Sequence, residues 1–250
     1  MGVNPAFERL ALLTGEEGLE KLTRTKALIF GAGGVGSWVA EALVRCGIGK
    51  LGIIDNDTVC ASNINRQAEA TSLTLGLPKV SALKKRLLEI NSECEITSWD
   101  ELFCRDNAHI FDIESANFVI DAIDTINHKL DLIEKVHTYS ESNGVTLYSS
   151  MGMALRMDPT QIKIASIWDT HGCPLARHVR QGLRKRGFPG DFSVVYSSEI
   201  PCGNLKKEND EPPRGPGEKR INGSNVTVTA SAGFMLAGMV LKKALLDETR

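Results

Sequence analysis

The residues able to do chemistry gather between Gly31 and Lys79. Gly31-Ala-Gly33-Gly34-Val-Gly36 follows the apolar run Lys26–Phe30 and precedes a helical pattern. Glycines there let the backbone turn tightly and approach a phosphate, which the following helix N-terminus attracts. Asp55 ends the next apolar run 19 residues after Gly36, where a carboxylate can accept ribose hydroxyls. Asn63, Arg66 and Lys79 follow in the same βα unit. Singly, Arg66 and Lys79 read as solvated surface charges outside the core. Together with Asn63 and the loop they read as a phosphate-binding set. A dinucleotide does not need the extra cations, because the loop already serves its pyrophosphate. ATP has a further phosphate, and attack at its α-phosphorus needs charge stabilisation and in-line positioning. No Lys-Ser/Thr pair follows the loop, so it is not a Walker P-loop. Further on, Val119-Ile-Asp121-Ala-Ile-Asp124 ends an apolar run with two carboxylates. A carboxylate at the end of a parallel strand can hold Mg²⁺ against ATP phosphates. Asp124, the outer one, is the metal candidate, and Asp121 is expected to cap a helix or hold a loop.

The elements that must position these residues alternate between strand and helix. Strands are expected at Lys26–Phe30, Leu51–Ile54, Glu95–Trp99, Asn117–Ala122 and Val145–Ser149. Helical patterns cover Glu16–Leu22, Ser37–Cys46, Thr74–Ile90 (starting near Pro78) and Thr125–Ser140. The alternation predicts an α/β, doubly wound, mostly parallel sheet of Rossmann-like type with a C-terminal extension. After Met157 the pattern changes. Arg177–Arg186 is a basic helical segment, and Pro201–Gly223, rich in Pro, Gly and charge, is expected to be a mobile loop.

At 250 residues the chain is expected to be one domain, with a nucleotide-binding core at about 25–150 and a substrate side at about 151–250. Its 29 basic and 31 acidic residues nearly cancel, so no global attraction to a polyanion is visible. Six scattered cysteines include no CxxC pair, which argues against a four-cysteine zinc site. No signal peptide is read at the start, and reduced thiols in a cytoplasmic protein are expected. The apolar run Thr227–Leu246 is interrupted by Lys242 and Lys243 and is read as a core helix, with no membrane partner.

Five motifs in order (the glycine loop, Ile54-Asp55-Asn56-Asp57, Ser62-Asn63-x-x-Arg66-Gln67, Lys79 and Asp121-x-x-Asp124) resemble the ThiF/MoeB superfamily of adenylating enzymes. The resemblance covers about residues 5–155. It implies ATP- and Mg²⁺-dependent adenylation of a carboxylate by a homodimer. Asp55 would hold the ribose, Asn63, Arg66 and Lys79 the phosphates, and Asp124 the metal. Arg9 would reach into the neighbouring subunit's site. Within the superfamily, Phe7-Glu-Arg9, Met157-Asp-Pro-Thr-Gln-Ile162, Asp169-Thr-His-Gly-Cys-Pro-Leu175 and Val194–Glu199 are similar to the tRNA threonylcarbamoyladenosine dehydratases. That similarity implies a tRNA partner carrying threonylcarbamoyladenosine. Its threonyl carboxylate would be adenylated, and an atom of the carbamoyl group would then close a ring. The nucleophile belongs to the substrate, so no catalytic cysteine is needed. Cys173 departs from the pattern, which leads one to expect an acidic residue there.

Two other readings compete. One is an activating enzyme for a ubiquitin-like sulfur carrier, with a sulfur-transfer partner. That class often has two CxxC pairs, which are lacking here, and Cys173 is the only substrate-side thiol that fits. The other is an NAD-binding oxidoreductase or a nucleotide-binding module, against which Arg66 and Lys79 argue. Arg177, Arg180, Arg184, Lys185 and Arg186 put five cations in ten residues, as a phosphate-contacting or simply solvated helix face. His171 is read as a turn residue rather than a base.

Overall fold

The computed structural model describes residues 4–203 and 222–246. Seven strands form one sheet in the order β3-β2-β1-β4-β5-β7-β6. In chain order the strands are β1 (Lys26–Phe30), β2 (Lys50–Ile54), β3 (Glu95–Trp99), β4 (Phe118–Asp121), β5 (Thr146–Ser150), β6 (Ile162–Ser166) and β7 (Ser193–Ser197). All neighbours pair in parallel except β6, which runs antiparallel to β7 at one edge. The helices are α1 (Glu8–Arg24), α2 (Gly36–Arg45), α3 (Lys79–Ile90), α4 (Ile126–Asn143), α5 (Pro174–Lys185) and α6 (Val226–Leu246).

The strand order reverses between β1 and β4. A crevice opens at such a point above the carboxyl ends of parallel strands. Alternate residues of β1 feed opposite faces, as a period of two requires. Ala27 and Ile29 join the core under α2, α3 and α6, with Val39, Leu83 and Leu236. Leu28 and Phe30 join the core under α4 and α5, with Phe111, Ile133 and Val179. Phe30 packs edge-on against Phe103 and Phe111, at centroid separations of 5.2 and 5.6 Å.

β6 and β7 are additions to the elements expected from sequence, and both join the same sheet. α1 is longer than the expected Glu16–Leu22 helix and breaks at Gly15, whose φ is +71°. α6 is long and apolar enough to cross a bilayer, but it packs within this fold, burying Val228, Ala232, Leu236 and Val240. Its Gly233 allows close approach to α2, because a Cβ there would stand 2.8 Å from the Val35 carbonyl. Most of the expected mobile loop, 204–221, lies outside the described residues.

Candidate active site

The glycine loop links β1 to α2 at the crevice. Gly31 has φ +98°, and a Cβ on it would stand 2.7 Å from the Ala122 carbonyl of the neighbouring β4 exit. A Cβ on Gly36 would stand 1.8 Å from the Gly31 carbonyl, so only glycine closes this turn. The loop is tied to the end of β2. The Gly31 N–H donates to the Ile54 carbonyl at 2.8 Å, and the Ala32 N–H to Asp55 Oδ2 at 2.7 Å. Asp55 Oδ1 accepts from the Asp57 N–H at 2.9 Å. Burial pushes the Asp55 carboxyl up, while Lys79 and the two N–H donors pull it back.

Lys79 is the first residue of α3, and its Nζ lies 2.7 Å from Asp57 and 3.9 Å from Asp55. Contrary to the expectation from sequence, it is not outside the core, since only 5% of it is exposed. Its stem packs inward while the ammonium faces the two acids. Arg66 is half-buried and lies against the glycine loop, its Cγ 3.2 Å from where a Gly34 Cβ would stand. Its Nη1 donates to the Ser62 carbonyl at 2.7 Å and to Asn65 Oδ1 at 3.0 Å. Asn63 Oδ1 accepts from the Cys60 N–H at 2.9 Å and so closes the turn that presents Arg66.

The two acids after β4 differ in environment. Asp121 is fully buried and accepts from Lys129 Nζ at 2.8 Å, Ser149 Oγ at 2.7 Å and the Ile123 N–H at 3.1 Å. Lys129, also fully buried, donates to the Ile123 carbonyl at 2.9 Å. The pair therefore fixes the backbone of 121–123 that leads to Asp124. Asp124 is exposed at the crevice end and accepts from Thr125 Oγ1 at 3.1 Å. One exposed carboxylate at the crevice with the glycine loop has the chemistry of a Mg²⁺ ligand, since that ion binds through one or two carboxylates plus substrate phosphates. Among the described residues no cluster of three or more His, Cys, Asp and Glu forms a metal cage.

Gly31, Gly33, Gly34, Gly36, Asp55, Asn63, Arg66 and Lys79 thus meet around one loop, with Asp124 across the crevice. Arg9 does not join them. Phe7, two residues before it, packs on Gly47, at the end of α2 away from the loop. Between β6 and β7, Cys173 is buried, and the exposed His171 sits edge-on to Tyr196, 5.6 Å between centroids. Three of the five cations of α5 and its end are engaged inside the chain. Arg180 donates to Thr170 Oγ1, Arg184 lies over Trp168, and Arg186 bonds Asp131 and Glu134.

Sequence reasoning missed three buried charged residues near the site, Glu69, Lys129 and Arg156. Glu69 comes two residues after Gln67, and burial pushes its carboxyl up to about 7. Nothing local distinguishes these side chains from solvated ones, because their burial depends on strands and helices distant in sequence.

The ThiF family model matches residues 7–249. The chain is 37% identical over 247 residues to a tRNA threonylcarbamoyladenosine dehydratase of Bacillus subtilis, covering 96% of this chain and 95% of that one. The crystal structure of the E. coli tRNA N6-threonylcarbamoyladenosine dehydratase in complex with ATP superimposes with a TM-score of 0.82 at 32% identity, covering 98% of this chain and 97% of that one. The "probable molybdopterin-synthase adenylyltransferase" of Porphyra purpurea is 36% identical over 129 residues, which is 49% of this chain and 34% of that protein.

Proposed function

The chain belongs to the ThiF family, and from that premise we propose that it dehydrates N6-threonylcarbamoyladenosine in tRNA at the expense of ATP. The observation that carries this reading is the reach of the likeness. Similarity to the dehydratases runs through β6, α5 and β7 on the substrate side, whereas similarity to the carrier-protein activator covers under half of the chain.

The threonyl carboxylate attacks the α-phosphorus of ATP and displaces pyrophosphate, giving an acyl-adenylate. A carbamoyl atom then attacks the acyl carbon, its proton is lost, and AMP leaves as the ring closes. Free N–H groups of the glycine loop and the dipole of α2 face the phosphates. Asp55 holds the ribose as well as the loop. Arg66, Lys79 and Asn63 serve the phosphates, the two cations offsetting the charge that builds as pyrophosphate departs. Mg²⁺ held by Asp124 would supply further charge neutralisation on the phosphates. The active form is a cytoplasmic homodimer in which Arg9 completes the partner's site.

The test is ATP turnover to AMP and pyrophosphate with tRNA that carries threonylcarbamoyladenosine and with matched tRNA that lacks it. Turnover is expected with the modified tRNA alone. ATP binding without turnover on either would refute the dehydratase reading and favour a ubiquitin-like carrier as substrate.

A further inference from the structure

β5 leaves the sheet at Ser150 and enters a segment, 151–157, along the carboxyl edge of the sheet. Within this segment Leu155 has φ +61°, a conformation that a non-glycine residue holds only when its surroundings enforce it. The Leu155 N–H donates to the Gly223 carbonyl, and its own carbonyl accepts from the Cys202 N–H, both at 2.8 Å. Asn225 Nδ2 donates to the Arg156 carbonyl at 2.8 Å.

Arg156 is turned inward from this braced backbone and is only 2% exposed. Its Nη1 donates to the Ala154 carbonyl at 3.1 Å and its Nη2 to the Ser197 carbonyl at a long 3.5 Å. Nε is buried without an acceptor. Among the described residues, no carboxylate lies within the 4.0 Å of a salt bridge to this guanidinium. A buried cation without a counter-charge is strongly unfavourable, and a bound anion relieves it.

A second source of positive potential converges on the same point. α5 starts at Pro174, and its N-cap Cys173 makes no side-chain capping bond. The first-turn N–H groups and the helix dipole are therefore left without an acidic cap. Gly152 lies between the two. A Cβ on it would stand 3.6 Å from Cys173 Sγ, 3.9 Å from Arg156 Nη1 and 3.4 Å from Leu175 Cβ. Gly152 is half-buried and has no side chain of its own to shield Nη1.

We propose that Gly152, Arg156 and the N-terminus of α5 form an anion subsite that receives the substrate's threonyl carboxylate, beside the nucleotide crevice. The assignment rests on the dehydratase reading and adds the group that recognises the acid. β5 is the direct neighbour of β4, so the subsite lies one strand away from Asp124. Binding there keeps the carboxylate ionised and orders it for attack. Adenylation removes its charge and frees it from the subsite. The subsite therefore selects and orients substrate, and its loss acts on KM more than on kcat.

The experiment uses an RNA stem-loop carrying threonylcarbamoyladenosine as the free acid or as its methyl ester. Binding of each to the full-length protein is followed by fluorescence anisotropy. Charge-assisted bonds to a carboxylate predict that the wild-type protein binds the acid about tenfold or more tightly than the ester. In Arg156→Gln that ratio falls close to one, and Arg156→Lys retains part of it. Gly152→Ala adds a methyl at ordinary contact distances, so the fold survives, and it lowers the ratio by screening Nη1. ATP affinity in the same samples reports folding, and if Arg156→Gln loses it, the Gly152→Ala ratio decides. An unchanged ratio in the variants overturns the subsite. So does equal weakening for unmodified RNA, which would assign Arg156 to a backbone phosphate. Failure of the wild-type protein to turn over ATP with the free acid would instead overturn the dehydratase reading, and the subsite with it.

Discussion

Glu69→Gln should remove a pH dependence of stability that the fold builds in beside Asp55 and Lys79. Only 1% of Glu69 is exposed. Burial pushes its carboxyl from 4.5 up to about 7, with its own backbone N–H, Lys79 and the Ser37 hydroxyl pulling it back and Asp55 pushing the same way as burial. Arg86 also faces it. Below pH 4.5 both the folded and unfolded chains hold this proton, and the site costs nothing on this account. As pH rises from 4.5 to about 7 the unfolded chain releases the proton while the folded one retains it, so stability falls across that window. A tenfold difference in proton affinity between the two states is worth about 1.4 kcal/mol, so the full loss comes to about 3 kcal/mol. The assay is urea unfolding followed by tryptophan fluorescence at pH 5, 6, 7 and 8, at one fixed protein concentration. Part of the loss has already occurred at pH 5, so the wild-type protein should lose about 2–3 kcal/mol more than Glu69→Gln between the ends of that series. A constant difference between the two proteins, or one that grows towards acid, would refute the reasoning.

Lys79→Ala should lose AMP formation and also about 2 kcal/mol of stability, because it strips the nearly buried Asp55 of its cation and removes a packed stem. Arg66→Ala, from a half-buried position, should lose the same activity with a stability change within about 1 kcal/mol. AMP formation and urea midpoints measured side by side separate the two, and wild-type stability in Lys79→Ala would count against its burial. Gly36→Ala forces a Cβ onto the Gly31 carbonyl, at 1.8 Å before relaxation. ATP affinity should fall about tenfold or more, as overpacking of about 1–3 kcal/mol implies, and an unchanged titration would mean that the turn yields freely.

The nucleotide half was legible because its signals are local. A four-residue apolar run, a glycine turn and a helical stripe all fit within one βα unit, and Asp55 is placed by the end of its own strand. β6 and β7 were not legible for the same reason. β6 is an edge strand, Ile-Lys-Ile-Ala-Ser, with Lys163 and Ile164 exposed, so it lacks the apolar run that marks the central strands. β7 has that run but follows α5 across a turn region at 187–192, and it pairs with β5, more than forty residues earlier. α1 was underestimated because its first half exposes Leu12 and Leu13 and shows no buried stripe before the break at Gly15. Lys79, Lys129, Glu69 and Arg156 read like any surface charge, because their burial comes from elements far away in sequence.

Two buried lysines meet the ends of this sheet, and their partners decide what each can do. Lys129 and Asp121 are both wholly buried, and every bond they make closes on the chain itself. Exchanging either partner for a ligand would strand the other in a dry interior, so the pair can only hold structure. Lys79 also has a buried stem, but the acid nearest its ammonium, Asp57, is 66% exposed on its side chain. Water can solvate that carboxylate if the ammonium turns away, and an ion pair open to solvent is worth little. The ammonium can therefore exchange Asp57 for a phosphate at small cost while its stem stays packed. Arg156 is the third case, a buried cation whose Nε donor is unused among the described residues, and the proposed subsite would bring it the anion it lacks.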